Sequence, residues 1–307
     1  MSDVLRIGTR GSKLALAQAE WIRRRIELAT PGLRAELVIV RTSGDRITDV
    51  PLHQVGGKGL FVKELEAGLL DGSLDAAVHS LKDVPGELAA GLVIAAVPER
   101  EDPRDVVITR AAGGLDGLVP GARVGTSSPR RAAWLRALYP RLAVVDLRGN
   151  VDTRLGKLAA GAVDALLLAR AGLNRLGVAP EHAAACDPHQ FLPAVGQGAL
   201  ALECAPGPVV ERLRAVEHRP SRQAIDAERG FLTAVGGTCT TPLAAFAEID
   251  GAGLVLRAAI LDPDGSRVVR GDRRGAAGDG ARIGAELAAA LLADGGADIL
   301  RPLGWAG

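Results

Sequence analysis

Aromatic residues are scarce: three tryptophans, one tyrosine and four phenylalanines, 3% of a 307-residue chain. A surface for single-stranded nucleic acid needs stacking rings along a basic groove, and a net charge of +1 supplies no such groove. No nucleic-acid partner is expected. Cysteine is rarer still. Cys186, Cys204 and Cys239 are odd in number, far apart and free of any Cys-x-x-Cys pair, so neither a disulfide framework nor a zinc ribbon is indicated. No apolar run approaches the roughly 18 residues of a membrane span, and Met1-Ser-Asp-Val-Leu-Arg6 has no apolar signal region, so a cytosolic location is expected. His53, His79, His182, His189 and His218 make no His-Glu-x-x-His motif, and no metal is implied. Gly56-Gly-Lys-Gly59 lacks the spacing of a phosphate-binding loop. After Gly196-Gln-Gly198, Pro206 follows too soon for a dinucleotide-binding helix.

Lysine is also sparse, with Lys13, Lys58, Lys63, Lys82 and Lys157 among 37 basic residues. Arginine is therefore the usual cation here, and only the positions of the arginines carry information. Apolar residues at 48% and charged ones at 24% describe an ordinary globular protein, and the length calls for more than one domain.

Two segments echo each other. Arg6-Ile-Gly-Thr-Arg-Gly-Ser-Lys reads as a short strand, a hydroxyl-rich turn and an amphipathic helix running to about Ala29, and Arg123-Val-Gly-Thr-Ser-Ser-Pro-Arg repeats that plan. Gly72-Ser-Leu-Asp-Ala-Ala-Val-His and Gly161-Ala-Val-Asp-Ala-Leu-Leu-Leu are a second matched pair, each a glycine helix stop leading into a strand. A doubled β-loop-α plan predicts an α/β protein with two doubly wound, parallel-sheet domains, ligands at the carboxyl ends of the strands, and a cleft between the domains. From about Arg219 the pattern changes to a helix over 221–235, alternating segments over 243–249 and 254–261, and a last helix near 280–293. This predicts a small third α+β domain with an antiparallel sheet. Residues 42–59, rich in glycine, have the composition of a lid or of an ordinary surface loop.

Ser127 or Ser128 can cap a helix that begins at Pro129, which places Arg130 and Arg131 at its positive end. The macrodipole disfavours cations there by about 0.3–1 kcal/mol, and a bound anion would resolve the conflict. Arg10 beside Ser12, and Arg148 and Arg154 around a helix start capped by Asn150, invite the same reading. Lys82 and Asp83 follow the apolar strand Ala76-Ala-Val78, and Pro85 stiffens their turn. A carboxylate at a strand end is either a turn residue or a group that stabilises a cation or relays a proton. Cys239, in Gly236-Gly-Thr-Cys-Thr-Thr-Pro242, is either a reactive loop thiol or a structural small residue.

With these pieces in place the chain resembles the porphobilinogen deaminase family nearly end to end. Its carriers are the two helix-start strings above, Val55-Gly-Gly-Lys-Gly-Leu-Phe-Val-Lys-Glu-Leu65, Val78-His-Ser-Leu-Lys-Asp-Val-Pro85, Leu147-Arg-Gly-Asn-Val-Asp-Thr-Arg154 and Leu192-Pro-Ala-Val-Gly-Gln-Gly-Ala-Leu200, in the family's order. The resemblance implies two domains like periplasmic binding proteins, 1–98 with 199–217 and then 99–198, and a third over 218–307. It implies a monomeric transferase that condenses four porphobilinogen molecules head to tail, with loss of ammonia, on a covalently bound dipyrromethane, and then releases hydroxymethylbilane by hydrolysis.

Residue by residue, the resemblance gives Asp83 the catalytic role and Cys239 the thioether to the dipyrromethane. Lys82, Ser128, Arg130 and Arg131 fall on cofactor-binding positions. Arg10, Ser12, Lys58, Phe61, Arg148, Arg154, Arg175 and Gln197 fall on substrate-binding ones, Lys58 and Phe61 in the family's active-site loop. Thr238 stands where the family commonly has Gly-Gly directly before the cysteine, and Gln54 where it often has a lysine. Two other readings compete with this one: a two-domain binding protein for small carboxylated ligands, and a nucleotide-dependent oxidoreductase.

Overall fold

A computed structural model describes residues 4–42, 62–237, 241–251 and 253–305. Its first strand, β1 (Val4–Arg10), buries Leu5, Ile7, Gly8 and Thr9 and runs into Gly11-Ser12. Ser12 Oγ accepts the Ala15 N–H at 3.2 Å and starts α1 (Lys13–Ala29). In α1 the buried Gln18, Ala19, Ile22 and Ile26 recur at helical spacing, so one face lies on the sheet. Full burial of each isoleucine contributes about 1.5–3 kcal/mol.

The chain divides into two compact units, one made of the residues up to Glu101 with Gly198–Arg222, the other of Asp102–Gln197 with the residues from Gln223 onward. The first unit adds β2 (Arg34–Val40), α2 (Lys63–Leu70), β3 (Ala76–Ser80), β4 (Val93–Ala96), β10 (Leu200–Cys204) and α6 (Val209–Arg214). Its sheet has the order β2-β1-β3-β10-β4. Ile7, Val78, Leu200 and Leu202 meet Ile22 and Ile26 of α1 on one face, while Ala77 meets Leu65 and Leu69 of α2 on the other.

The second unit holds β5 (Asp105–Thr109), β6 (Arg123–Gly125), α3 (Pro129–Leu138), β7 (Ala143–Val145), α4 (Val151–Ala159), β8 (Ala165–Ala169), α5 (Arg170–Leu176) and β9 (Ala183–Ala185). Their sheet has the order β7-β6-β8-β5-β9. The same unit contains α7 (Arg219–Val235) from Gln223 on, the meander β11 (Leu243–Asp250), β12 (Gly253–Leu261) and β13 (Val268–Ala276), and α8 (Gly280–Leu291). The central strand β12 is largely buried on both faces, while the edge strand β13 is mostly exposed. Leu254, Leu256, Ala258 and Ile260 meet α7 and α8, whereas the alternate Ala259 and Leu261 join Trp134, Leu135 and Phe191.

The expected doubling is real down to single hydrogen bonds. In the first unit Arg6 N–H donates to Asp75 Oδ2, Asp75 N–H donates back to Arg6 O, and the Arg6 guanidinium reaches Gly72 O. In the second, Arg123 N–H donates to Asp164 Oδ2, Asp164 N–H to Arg123 O, and the Arg123 guanidinium reaches Gly161 O. Gly72 and Gly161 take φ of +78° and +74°, the left-handed geometry that makes glycine the helix stop at both places.

The sheets are not wholly parallel, which corrects the sequence expectation. β10 runs antiparallel to β3 and β4, and β5 runs antiparallel to β8 and β9. Each is the strand by which the chain enters its unit across the domain boundary, at Gly198 and at Asp102. Strand direction is set by that crossing, and local periodicity carries no record of it.

Candidate active site

In the first unit the two neighbouring parallel strands β1 and β3 end on the same edge of their sheet. Arg10 and Ser12 follow β1, with Arg10 partly exposed and Ser12 spending its hydroxyl on the α1 cap. After β3 comes a single 3-10 turn, Leu81–Asp83. Leu81 is its anchor: the side chain is buried, and its N–H donates to Ala199 O at 3.0 Å. Val84 N–H closes the turn on Leu81 O at 3.1 Å, and both Leu81 and Val84 point inward. Lys82 and Asp83 between them are consequently the partly exposed residues of the turn. On the opposite face Ser80 Oγ meets the buried Gln18 amide of α1 at 3.0 Å, which holds the end of β3.

In the second unit Ser128, not Ser127, is the cap of α3, accepting the Arg131 N–H at 3.4 Å with Pro129 in the first turn. The sequence reading left Arg130 and Arg131 facing a bound anion, and the structure supplies a protein carboxylate instead. Asp105, the first residue of β5, is fully buried. Its oxygens lie 2.8 Å from Arg130 Nη1 and 2.8 Å from Arg131 Nη2. Arg131 also donates to Leu167 O, and Arg130 to Leu192 O. Both arginines are only 4–5% exposed, so most of their hydrogen-bonding capacity is turned inward.

Gln197 is drawn into the same network. It is buried, its amide nitrogen donates to Pro103 O at 2.7 Å and to Asp105 Oδ1 at 3.1 Å, and its oxygen faces Arg130. It therefore supports the arginine pair rather than presenting an open amide. The neighbouring Gly196 N–H is held by Glu228 Oε2 at 2.7 Å, while Glu228 Oε1 accepts the Ala247 N–H at 2.9 Å.

Charge in this network does not balance. Two guanidiniums share one carboxylate, and among the described residues the buried Arg130 Nε has no hydrogen-bond partner. Burial opposes ionisation of Asp105, but the charges of Arg130 and Arg131 outweigh it and hold the carboxyl at about 2. Burial lowers the proton affinity of Arg130, Asp105 opposing and Arg131 adding to the effect. Burial also pushes the nearby Cys186 thiol up to about 12, which leaves it an inert thiol.

Next to the pair, Asn150 Oδ1 caps α4 by accepting the Thr153 N–H at 2.9 Å. Arg154 Nε donates to Gly149 O at 2.8 Å, and its Nη2 lies 3.4 Å from Ser127 Oγ. Burial first, then the repulsion of Arg131, with Asp146 opposing and a smaller share from Arg148, lowers Arg154 to about 10. Ser127 and Arg154 thus meet at the α3 and α4 helix starts, where backbone N–H groups favour an anion. Arg175 stands partly exposed in the last turn of α5. Lys58, Phe61 and Cys239, with Gln54 and Thr238, lie outside the described residues.

Sequence reasoning missed Asp105, Glu228 and Glu203. The available signal for Asp105 was a charge opening the apolar strand Val106-Val-Ile108. Glu203, fully buried in β10 and 2.9 Å from His79 Nε2, gave a similar signal inside Leu200-Ala-Leu-Glu-Cys204.

Known proteins were compared with the whole chain. The family model described as porphobilinogen deaminase, dipyromethane cofactor binding domain, matches residues 5–208, and that for the porphobilinogen deaminase C-terminal domain matches residues 223–293. A porphobilinogen deaminase of Nitratidesulfovibrio vulgaris is 50% identical over 301 residues, 96% of this chain and 95% of its own length. The Syntrophobacter fumaroxidans porphobilinogen deaminase is 46% identical over 306 residues, 99% of both chains. That of Bordetella parapertussis is 50% identical over 301 residues, covering 97% of this chain and 96% of its own. Among solved structures, the methionine binding protein MetQ aligns with 70% of this chain and 90% of its own at 13% identity, with a TM-score of 0.43. On two family models that together span most of the residues, and on relatives this similar over almost their full length, the chain belongs to the porphobilinogen deaminase family.

Proposed function

We infer that this chain is a transferase of tetrapyrrole biosynthesis, a hydroxymethylbilane synthase. It joins four porphobilinogen molecules head to tail with loss of ammonia at each step, then releases hydroxymethylbilane by hydrolysis. The observation that carries this reading is the unbalanced positive charge at the helix starts of the second unit. Each porphobilinogen brings two carboxylates, and such a surplus suits several of them better than one.

The same surplus fits a dipyrromethane, whose acetate and propionate groups are anionic. Ser128, Arg130, Arg131 and Lys82 would hold those groups, Cys239 would carry the thioether, and the bound dipyrromethane supplies the pyrrole carbon on which the chain is built. The arginine pair can serve only through the donor capacity that Asp105 leaves over, such as Arg130 Nε. Arg10, Ser12, Arg148, Arg154 and Arg175 bind substrate carboxylates. Arg154 is the best placed for this, because its burial and its cationic neighbours are offset by an anion. Lys58 and Phe61 contact the substrate from their loop, and Gln197 acts through the arginine pair.

Asp83 is the reacting carboxylate in this reading. On a short turn between two buried anchors it accepts the pyrrole N–H of the substrate and stabilises the cation left when ammonia departs. A cation formed against a fixed negative charge in a site that excludes water gains far more than it would in bulk solvent. The reading also makes the protein a cytosolic monomer, organised as 1–98 with 199–217, 99–198 and 218–307.

Incubation of the purified protein with porphobilinogen should yield hydroxymethylbilane, trapped as the uroporphyrin it forms, and absence of that product from folded protein would end the assignment. Intact-mass measurement of the same sample should show one dipyrromethane adduct that disappears in Cys239→Ser. An active but unmodified parent would remove Cys239 from the scheme.

A further inference from the structure

One buried group of ionisable side chains has no part in the reaction as described. His79 of β3 and Glu203 of β10 are 5% and 1% exposed, and the imidazole Nε2 stands 2.9 Å from Glu203 Oε2. Their strands pair antiparallel, with Ala201 opposite His79 and Glu203 opposite Ala77, which makes the two side chains diagonal neighbours on one face. That is the face covered by α2, since Ala77 packs against Leu65 and Leu69. Glu66 comes from the middle of α2 to the same pair. Burial and then the negative charge of Glu203 push its carboxyl up, with His79 acting the other way.

A buried polar pair rarely stabilises a protein more than apolar side chains of the same volume, and its best-attested use is to fix register. What is fixed here follows from chain order. His79 precedes Asp83 by four residues. The turn Leu81–Asp83 hangs from Ala199 O, the residue just before the strand that carries Glu203. The cluster therefore grips the strand that leads into the turn and also the strand from which the turn is hung.

We propose that His79, Glu203 and Glu66 form a positioning cluster that clamps the turn bearing Lys82 and Asp83 and so sets the aim of the Asp83 carboxylate. This rests on Asp83 being the reacting carboxylate. The three residues act through the turn and touch no substrate. Misplacement of a reacting group by 1 Å costs up to about a hundredfold in rate, so loosening the clamp lowers kcat while leaving carboxylate anchoring, and hence KM, nearly intact.

The test is steady-state turnover of porphobilinogen by the holoenzyme. Glu203→Gln, nearly isosteric, should lower kcat by about tenfold or more with KM within about twofold of the parent. The double variant His79→Leu/Glu203→Leu replaces the pair by apolar side chains, and it should melt at or above the parent Tm yet keep the low kcat. A pair that merely packs gives the opposite result, with kcat recovering as Tm recovers, and that outcome overturns the proposal. Parent-like kcat in folded Glu203→Gln overturns it as well. If neither variant folds, Glu66→Gln at its partly exposed site is measured in the same way, and an unchanged kcat there has the same consequence. Asp83→Asn assayed alongside separates the two ideas. Full turnover in that variant removes the role of Asp83, whereas its loss together with parent-like Glu203→Gln removes only the cluster.

Discussion

The two five-stranded sheets share one wiring and differ in what they bury on the antiparallel strand. In the first, the buried carboxylate Glu203 meets the imidazole of His79 and the region carries two glutamates. In the second, the buried carboxylate Asp105 meets two guanidiniums. Beyond the strands the contrast continues. β3 ends in a short turn that displays Asp83, while β8 leads straight into a helix that opens with Arg170. One scaffold, used twice, buries a carboxylate beside an imidazole in one copy and a carboxylate beside two guanidiniums in the other.

The largest way to break the comparison is to neutralise the negative side. Asp83→Asn should fold with a stability within about 0.5 kcal/mol of the parent, as expected for a partly exposed turn residue, and lose on the order of a thousandfold in kcat. Near-parent turnover would mean that the sign of the first sheet has nothing to do with the chemistry.

On the positive side the expected effect is on folding. Asp105→Asn leaves two buried guanidiniums without their counter-charge and should cost about 3–5 kcal/mol in urea unfolding at neutral pH. The parent should also show a matching acid sensitivity. The Asp105 carboxyl is lowered from 3.8 to about 2 in the folded protein, so its stabilising contribution is complete above the unfolded value and is lost as pH falls through the folded one. The amount is about 2 kcal/mol, and the variant should lack this component of the acid limb. An Asp105→Asn protein as stable as the parent would show that the charge surplus is not held together by that carboxylate.

A smaller effect tests whether the repeat is equally tight in both copies. Gly8 and Gly125 occupy the same place in the doubled strand, and a Cβ at either would strike leucine. At Gly8 the nearest atoms are the tips of Leu74 and Leu65, at 2.5 and 2.9 Å, which can swing aside. At Gly125 they include Leu147 Cβ at 2.8 Å, close to the backbone. Gly125→Ala should therefore destabilise by about 1–3 kcal/mol and Gly8→Ala by about 1 kcal/mol, compared by chemical unfolding. Equal values would show that the two copies yield alike.

Much of this contrast was legible in the residues, and what escaped was of one kind. The paired strings around Arg6 and Arg123, the glycine stops at Gly72 and Gly161, and the caps at Ser12 and Asn150 are local, so the sequence displays them directly. The strand-end position of Lys82 and Asp83 followed from an apolar run and a proline. Asp105, Glu203 and Glu228 did not follow, because their partners are brought to them by tertiary structure from distant parts of the chain. For the same reason Arg130 and Arg131 looked unpaired. Helix-start electrostatics identified a conflict correctly but could not say that a carboxylate on an antiparallel entry strand would settle most of it. The direction of β5 and β10 was hidden in the same way, since only the crossing between units defines it.

The carbonyl of Leu192 has a further use. It receives Arg130 Nη1 at 2.7 Å and the indole Nε1 of Trp134 at 3.2 Å, with Phe191 6.0 Å from the Trp134 ring. Trp134 is 1% exposed and shares its acceptor with an arginine of the charged network. The protein thus carries its own fluorophore wired to that network: any event that draws Arg130 away from Leu192 changes the polarity felt by a buried indole. Emission from Trp134, isolated by replacing Trp21 and Trp305 with phenylalanine, becomes an optical readout of the arginine pair without an added label.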